Sequence, residues 1–194
     1  MKTKGYFSGM TPDMKKNKMR KVKMYIAISL DGKIADEAGG VGWLDEIPLP
    51  EGTDYGYGDF IKSIDTTIMG NSTYQQVLSF PVEFPYKEQE NFVYTKNQEL
   101  TNDENVTFVS SDFAQHIKSL KQQSGKDIWL IGGGQVNTLV HNLDLVDEYW
   151  IFVMPVILGA GIPLFADHPI KTSLQLIHSE TYDSGVTFLH YSKS

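Results

Sequence analysis

Asp127-Ile128-Trp129-Leu130-Ile131-Gly132-Gly133-Gly134-Gln135-Val136-Asn137 is the stretch on which the fold turns. The short apolar run Ile128 to Ile131, β-branched and aromatic, has the character of a buried parallel strand. Three glycines then let the backbone turn where a side chain would clash. Val136, Leu139, Val140 and Leu143 follow at helical spacing. Strand, glycine turn and helix start together make an anion cradle, because the first N–H groups of a helix lack intrahelical acceptors and its dipole is positive there. A phosphate is the usual guest. The run is not a P-loop, since no Gly-Lys-Ser/Thr follows, and Asn137 breaks the Gly-x-Gly-x-x-Gly dinucleotide fingerprint. Taken alone, it is equally a tight turn without a ligand.

A second junction of the same kind lies upstream. Thr66 to Met69 reads as a strand, and Asn71 or Ser72 in Gly70-Asn71-Ser72-Thr73 is suited to N-cap a helix running to about Leu78. Two helix N-termini at one edge of a parallel sheet suit a ligand that carries phosphates at separated points.

The remaining elements fill in around these two. Val22 to Ser29 is a first, central strand, leading into a turn at Asp31-Gly32. Residues 36–58 form a long glycine-rich, aromatic loop with Trp43, Tyr55 and Tyr57, a length that usually marks function or mobility. Thr53 or Asp54 starts a short helix through Phe60 and Ile61. Asn91 to Thr95 and Val106 to Val109 are strands, and Ser111 or Asp112 caps a helix through Leu120. Val146 to Val156 is a long strand, 157–165 a glycine-rich turn, and 173–182 with 186–192 a closing antiparallel hairpin. The pattern is α/β, with parallel strands joined by helices and an antiparallel end.

Composition narrows the function. The 194 residues are one domain by length, and no apolar stretch approaches the roughly 20 residues of a membrane span. There is no cysteine, so disulfides, thiolate metal sites and a Cys nucleophile are excluded. The histidines show no ligand spacing, so no metal is expected. Net charge is −7, yet residues 1–23 carry eight basic side chains against Asp13 alone. That stretch lacks the apolar segment of an export signal, which makes the cytoplasm the expected location. Residues 1–21 are read as a flexible basic extension before a single domain at 22–194. With an acidic body behind it, no nucleic-acid partner is expected.

In order, AISLDGKIA (27–35), GVGWL (40–44), DYGYGDF (54–60), IMGNSTY (68–74), IWLIGGGQV (128–136) and VDEYWIFVMPVILGAGIPLF (146–165) resemble the dihydrofolate reductase-like superfamily. The likeness is greatest to the bacterial branch related to the RibD C-terminal reductase domain of riboflavin biosynthesis. The resemblance implies a mostly parallel sheet of about eight strands with helices on both faces, a homodimer, and reduction of a small-molecule heterocycle by NADPH. Backbone groups of Ala27 and Ile34 would hold the nicotinamide carboxamide. Ile131, Gly132, Gly133 and Gly134 would form the nicotinamide and pyrophosphate loop, often with a cis Gly-Gly peptide, and Gln135 and Val136 the helix beneath. Gly70, Asn71, Ser72 and Thr73 match the second phosphate turn, and Thr95 and Lys96 the strand end near the adenosine ribose.

The chain also departs from the classical enzymes. Asn71 stands where they carry Arg beside the 2′-phosphate, which leaves that role to Lys96 with Ser72 and keeps NADH as an alternative. Gly56 occupies the place of their helix carboxylate, and Val153 that of its Thr partner. Dihydrofolate is thus the weaker substrate expectation, and a non-catalytic dinucleotide-binding relative is a further alternative. Asp31, Trp43 and Asp54 are the candidates nearest the chemistry. Lys33, Trp43 and Tyr57 are the candidates for substrate contact, Lys33 through a substrate phosphate.

Overall fold

The computed structural model describes residues 19–194. In chain order its strands are β1 (Val22–Ser29), β2 (Lys33–Ala35), β3 (Ile64–Gly70), β4 (Glu90–Tyr94), β5 (Thr107–Val109), β6 (Asp127–Gly132), β7 (Glu148–Met154), β8 (Ile162–Pro163), β9 (Leu174–Thr181) and β10 (Thr187–Lys193). The helices are α1 (Tyr57–Lys62), α2 (Asn71–Leu78), α3 (Phe113–Gln122) and α4 (Gly134–Asn142). Eight strands form one sheet in the order β5-β4-β3-β6-β1-β7-β10-β9, and β2 pairs with β8 as a separate ribbon. The first six of that order run parallel, while β10 and β9 close the sheet antiparallel.

Alternation along the central strands sends side chains to two different layers. Ile68, Phe92, Ile128 and Leu130 face Ile117 and Leu120 of α3 and Val136 and Val140 of α4. On the other face Met69 and Val93 lie under Tyr74 and Val77 of α2, and Trp129 and Ile64 lie under Phe60 of α1. Each fully buried large side chain here contributes about 2 kcal/mol by removal from water. Central strands covered on both faces read as continuous apolar runs, which is why β3 and β6 stand out in the sequence.

Several expected boundaries shift. The long strand contracts to Glu148–Met154, and the turn at 157–165 contains β8. The first helix starts at Tyr57 after Gly56, not at Thr53 or Asp54. For α3, Asp112 holds the N-cap position without a side-chain cap bond.

The basic run also divides. Its part up to residue 18 lies outside the described residues, but Arg20 and Lys21 belong to the folded body. Arg20 is 4% exposed, pairs with Asp65, and donates to Thr66 Oγ1 at 2.5 Å. Lys21 donates to Glu148 Oε1 at 2.5 Å, and Lys23 lies 2.8 Å from Asp127 Oδ2. These ion pairs fasten the start of β1 to the starts of β3, β7 and β6.

Candidate functional site

Parallel pairing of β3 with β6 sets Met69 opposite Gly132, so both strands end at one edge of the sheet. Each strand leads directly into a helix there. Gly70, extended at φ −82° and ψ 159°, occupies the N-cap of α2, and Gly133 occupies that of α4. Neither position supplies a side-chain cap bond. The expectation that Asn71 or Ser72 would cap α2 is thus corrected: the extended last residue of β3 takes the cap position, and Asn71 is the first helical residue. Both helix entrances keep their leading N–H groups free of side-chain caps, which is the arrangement that binds anions.

The two entrances meet. A Cβ on Gly133 would stand 3.3 Å from Thr73 Oγ1 and 3.8 Å from Ile34 Cδ1, and one on Gly70 would stand 3.0 Å from Val136 Cγ2. At Gly134 the same atom would fall 2.5 Å from the Pro163 carbonyl oxygen. Gly132 has φ 135°, a region that favours glycine, and the Gly132–Gly133 peptide is cis. Backbone therefore forms the surface where the two helices begin. At the same place the Asn71 amide oxygen is buried without a hydrogen-bond partner. Such orphans call for a partner the protein itself does not supply. That oxygen is an acceptor and calls for a donor, such as a ligand hydroxyl or amide. The uncapped N–H groups of the two helix starts are the donors that fit the phosphates of a dinucleotide laid across both entrances.

The other positions expected at the cofactor lie around the same strand ends. Ile131 is half-buried just before the cis peptide, and Gln135 is exposed in the first turn of α4. Ser72 is exposed in the first turn of α2. Thr95, past the end of β4, donates its N–H to Val109 O at 3.1 Å and accepts from Asn97 N–H at 3.1 Å, with exposed Lys96 between. Ala27 is half-buried on β1 opposite Phe152. Ile34, on β2, touches the glycine turn from the far side.

The candidates for chemistry fare differently. Asp31 does not stand free: Oδ1 accepts from the Ser29 hydroxyl at 2.6 Å and from Leu158 N–H at 3.0 Å, and Oδ2 accepts from Gly159 N–H at 2.8 Å. The Ser29 bond, with help from these amides, holds its carboxyl below the usual carboxylate range. Asp54 accepts from Gly58 N–H at 2.7 Å and Gly56 N–H at 2.9 Å, and these bonds, Gly58 first, lower its pKa likewise. Both are ionised loop anchors, and neither is arranged to donate a proton. Trp43, 8% exposed, packs on Phe152, Met154, Val186 and Phe188, although its indole N–H is buried without a partner. Tyr57 stays 37% exposed beside Tyr25 and Trp129, its hydroxyl pKa raised by burial. Lys33 is half-buried, with its N–H donated to Ser29 Oγ at 2.9 Å.

What the sequence reading missed is the strap 157–166, which threads between β2 and α4 and supplies the Pro163 carbonyl against Gly134. Its glycine-rich segment stands out in the sequence, but nothing local in it marks the contact with Gly134, about thirty residues away. A polar hollow of about 310 Å³ opens elsewhere, lined by Lys87, Gln89, Asn91, Glu104 and Asn105 at the start of β4. It lies at the opposite edge of the sheet, and its Asn91 amide is already committed to the carbonyls of Tyr86, Gln89 and Asn105. Among the described residues no cluster of His, Asp or Glu could hold a metal ion, and no helix is long and apolar enough to cross a membrane.

Comparison with known proteins identifies the family and agrees with the fold. Residues 20–188 match the model of the RibD C-terminal domain. The uncharacterized protein YwjB of Bacillus subtilis (strain 168) is 41% identical over 175 residues, covering 90% of this chain and 99% of that protein. A crystal structure from Shewanella sp. PV-4, with a provisional riboflavin-biosynthesis name, superposes at a TM-score of 0.80 with 31% identity, covering 90% of this chain and 99% of the other. Dihydrofolate reductase from Enterococcus faecalis, solved with NADP(H), superposes at 0.63 with 13% identity over 90% of this chain and 96% of that one, a likeness of fold alone. The fold is thus one shared with reductases, and the chain belongs to the RibD C-terminal domain family.

Proposed function

We propose that this protein is an NADPH-dependent reductase that transfers hydride to a small heterocycle of the riboflavin-pathway type, similar to 5-amino-6-(5-phosphoribosylamino)uracil. The observation that carries the reading is the meeting of two helix entrances without side-chain caps, with Thr73 Oγ1 3.3 Å from the Cβ position of Gly133. The N–H groups at the start of α4 hold the pyrophosphate and those of Asn71 to Thr73 the adenosine-side phosphate. Lys96 and Ser72 take the 2′-phosphate, with NADH the weaker cofactor. Backbone groups of Ala27 and Ile34 orient the nicotinamide amide, and Tyr57, Lys33 and the loop bearing Trp43 border the substrate. When bound, the reduced nicotinamide supplies the hydride, and the protein supplies position and electrostatics. With Asp31 and Asp54 both committed to backbone N–H groups, neither is the donor of the accompanying proton, which falls to water or to another acid at the substrate.

That same commitment favours one second reading, a dinucleotide-binding relative without turnover. Loss of reduced-nicotinamide absorbance is the test, run with the phosphoribosylaminouracil, its unphosphorylated base and dihydrofolate. Turnover fastest with the uracil compounds is the expected result. Tight NADPH binding with no oxidation across the panel would establish the second reading instead.

A further inference from the structure

Asp31 lies in the turn after β1, while its partners Leu158 and Gly159 lie after β7, more than a hundred residues later. Its two carboxylate oxygens take both consecutive amides, and Oδ1 also takes the Ser29 hydroxyl. Ser29 Oγ in turn accepts from Lys33 N–H at 2.9 Å, so one short network spans the turn and the start of β2. Backbone bonds continue the link: Leu30 N–H donates to Val156 O at 2.7 Å, and Leu164 N–H donates to Gly32 O at 2.9 Å.

Beyond the network, both linked segments press on the glycine turn. Ile34, one residue after Lys33, lies against Gly133. The Pro163 carbonyl lies against Gly134, and Ala166 N–H donates to Gly134 O at 3.2 Å. The β2–β8 ribbon thus forms one wall of the cradle at the α4 entrance. It is only three residues paired with two, too short to hold its own register.

We propose that Asp31 is a positioning residue, whose carboxylate joins the β1–β2 turn to the 157–159 loop and thereby sets the β2–β8 wall against the α4 end of the dinucleotide site. The inference rests on the reading of that site as a dinucleotide cradle. The α2 entrance follows directly from β3, which is held between β4 and β6 and is not one of the segments this clamp joins. Asp31 therefore governs the nicotinamide and pyrophosphate half of the ligand and leaves the adenosine half alone.

Calorimetric titration of Asp31→Asn and Asp31→Ala with two probes tests this. NADPH spans both entrances, whereas adenosine 2′,5′-bisphosphate reaches only the α2 side. We expect NADPH to bind about tenfold more weakly to either variant, as loss of bonds to a charged acceptor implies. The bisphosphate is expected to keep its affinity within about twofold. Faster amide hydrogen exchange at Leu158 and Gly159 should accompany the change. Equal weakening of both probes would reduce Asp31 to general stability and overturn the proposal, as would unchanged NADPH affinity. If wild-type protein binds neither probe, the cradle reading itself fails, a result distinct from either of those.

Discussion

Thr73 and Gly133 face one another where α2 and α4 begin, with the threonine hydroxyl oxygen 3.3 Å from the point a Cβ on the glycine would occupy. The contact joins two segments sixty residues apart in the chain, and it exists because β3 and β6 are parallel neighbours. It makes the glycine turn a surface of backbone rather than side chains.

The first prediction follows from that surface. Gly133→Val forces branched methyl groups against Thr73 and Ile34 at the mouth of the cradle, and is expected to abolish NADPH binding while most of the core survives. Gly132→Ala sets a side chain at φ 135° and is expected to cost about 1–3 kcal/mol of stability. Calorimetric titration checks the first variant, and urea denaturation the second.

Arg20 is expected to matter for stability and not for the site. Its guanidinium pairs with Asp65, donates to Thr66 Oγ1, and reaches the Lys126 carbonyl at 2.5 Å. Arg20→Met removes those bonds from a buried position, and a loss of about 2–3 kcal/mol is expected in urea denaturation, with NADPH affinity unchanged.

Two histidines set the pH response near neutrality. Burial pushes His116 down despite Glu90, and burial likewise pushes His190 down, partly offset by Glu148. His116 Nδ1 lies 2.8 Å from the Tyr94 hydroxyl, and His190 Nε2 lies 3.4 Å from Glu148 Oε2 without a hydrogen bond. A histidine whose folded pKa is depressed binds protons more readily once unfolded. Its contribution is complete above the ordinary histidine value and is lost as pH falls from there through the folded value. Unfolding free energy is expected to drop as pH falls below the ordinary histidine value of about 6.5, and His116→Gln should flatten that slope. An unchanged slope in the variant would remove His116 from the explanation.

Self-association is the remaining expectation. β9 is exposed along all eight residues, with Leu176 at 49% and Ile177 at 52%, and lies at the edge of the sheet. An exposed apolar edge strand invites pairing with another chain. We propose that the homodimer implied by the family resemblance forms there. Light scattering is expected to give twice the 21.8 kDa of one chain, and Ile177→Lys to give the single chain.

Much of this fold can be read from the sequence, for identifiable reasons. β1 runs Val22–Ser29 as its apolar run suggests, and β3 and β6 declare themselves because both faces are covered. The glycine turn is legible because glycine is favoured there for separate reasons: φ 135° at Gly132, a tight approach to Thr73 at Gly133, and the Pro163 carbonyl at Gly134. What stays hidden depends on distant partners. A local charge count sees Arg20 and Lys21 as part of a solvated run, because Asp65 and Glu148 are far away in sequence. Asp31 and Asp54 look like candidate acids until their backbone donors are known. At α2 the side-chain preference of Asn71 suggests a cap, whereas the end of β3 places Gly70 there. The β2–β8 ribbon is too short to leave any periodic signal.

The most direct test is an NADPH titration of isotope-labelled protein followed by amide resonances. Backbone N–H signals of residues 71–73 and 133–136 should shift together, at a common saturation point, because one ligand bridges both helix entrances. Shifts confined to one entrance, or centred instead on the polar hollow around Asn91 and Asn105, would contradict the account.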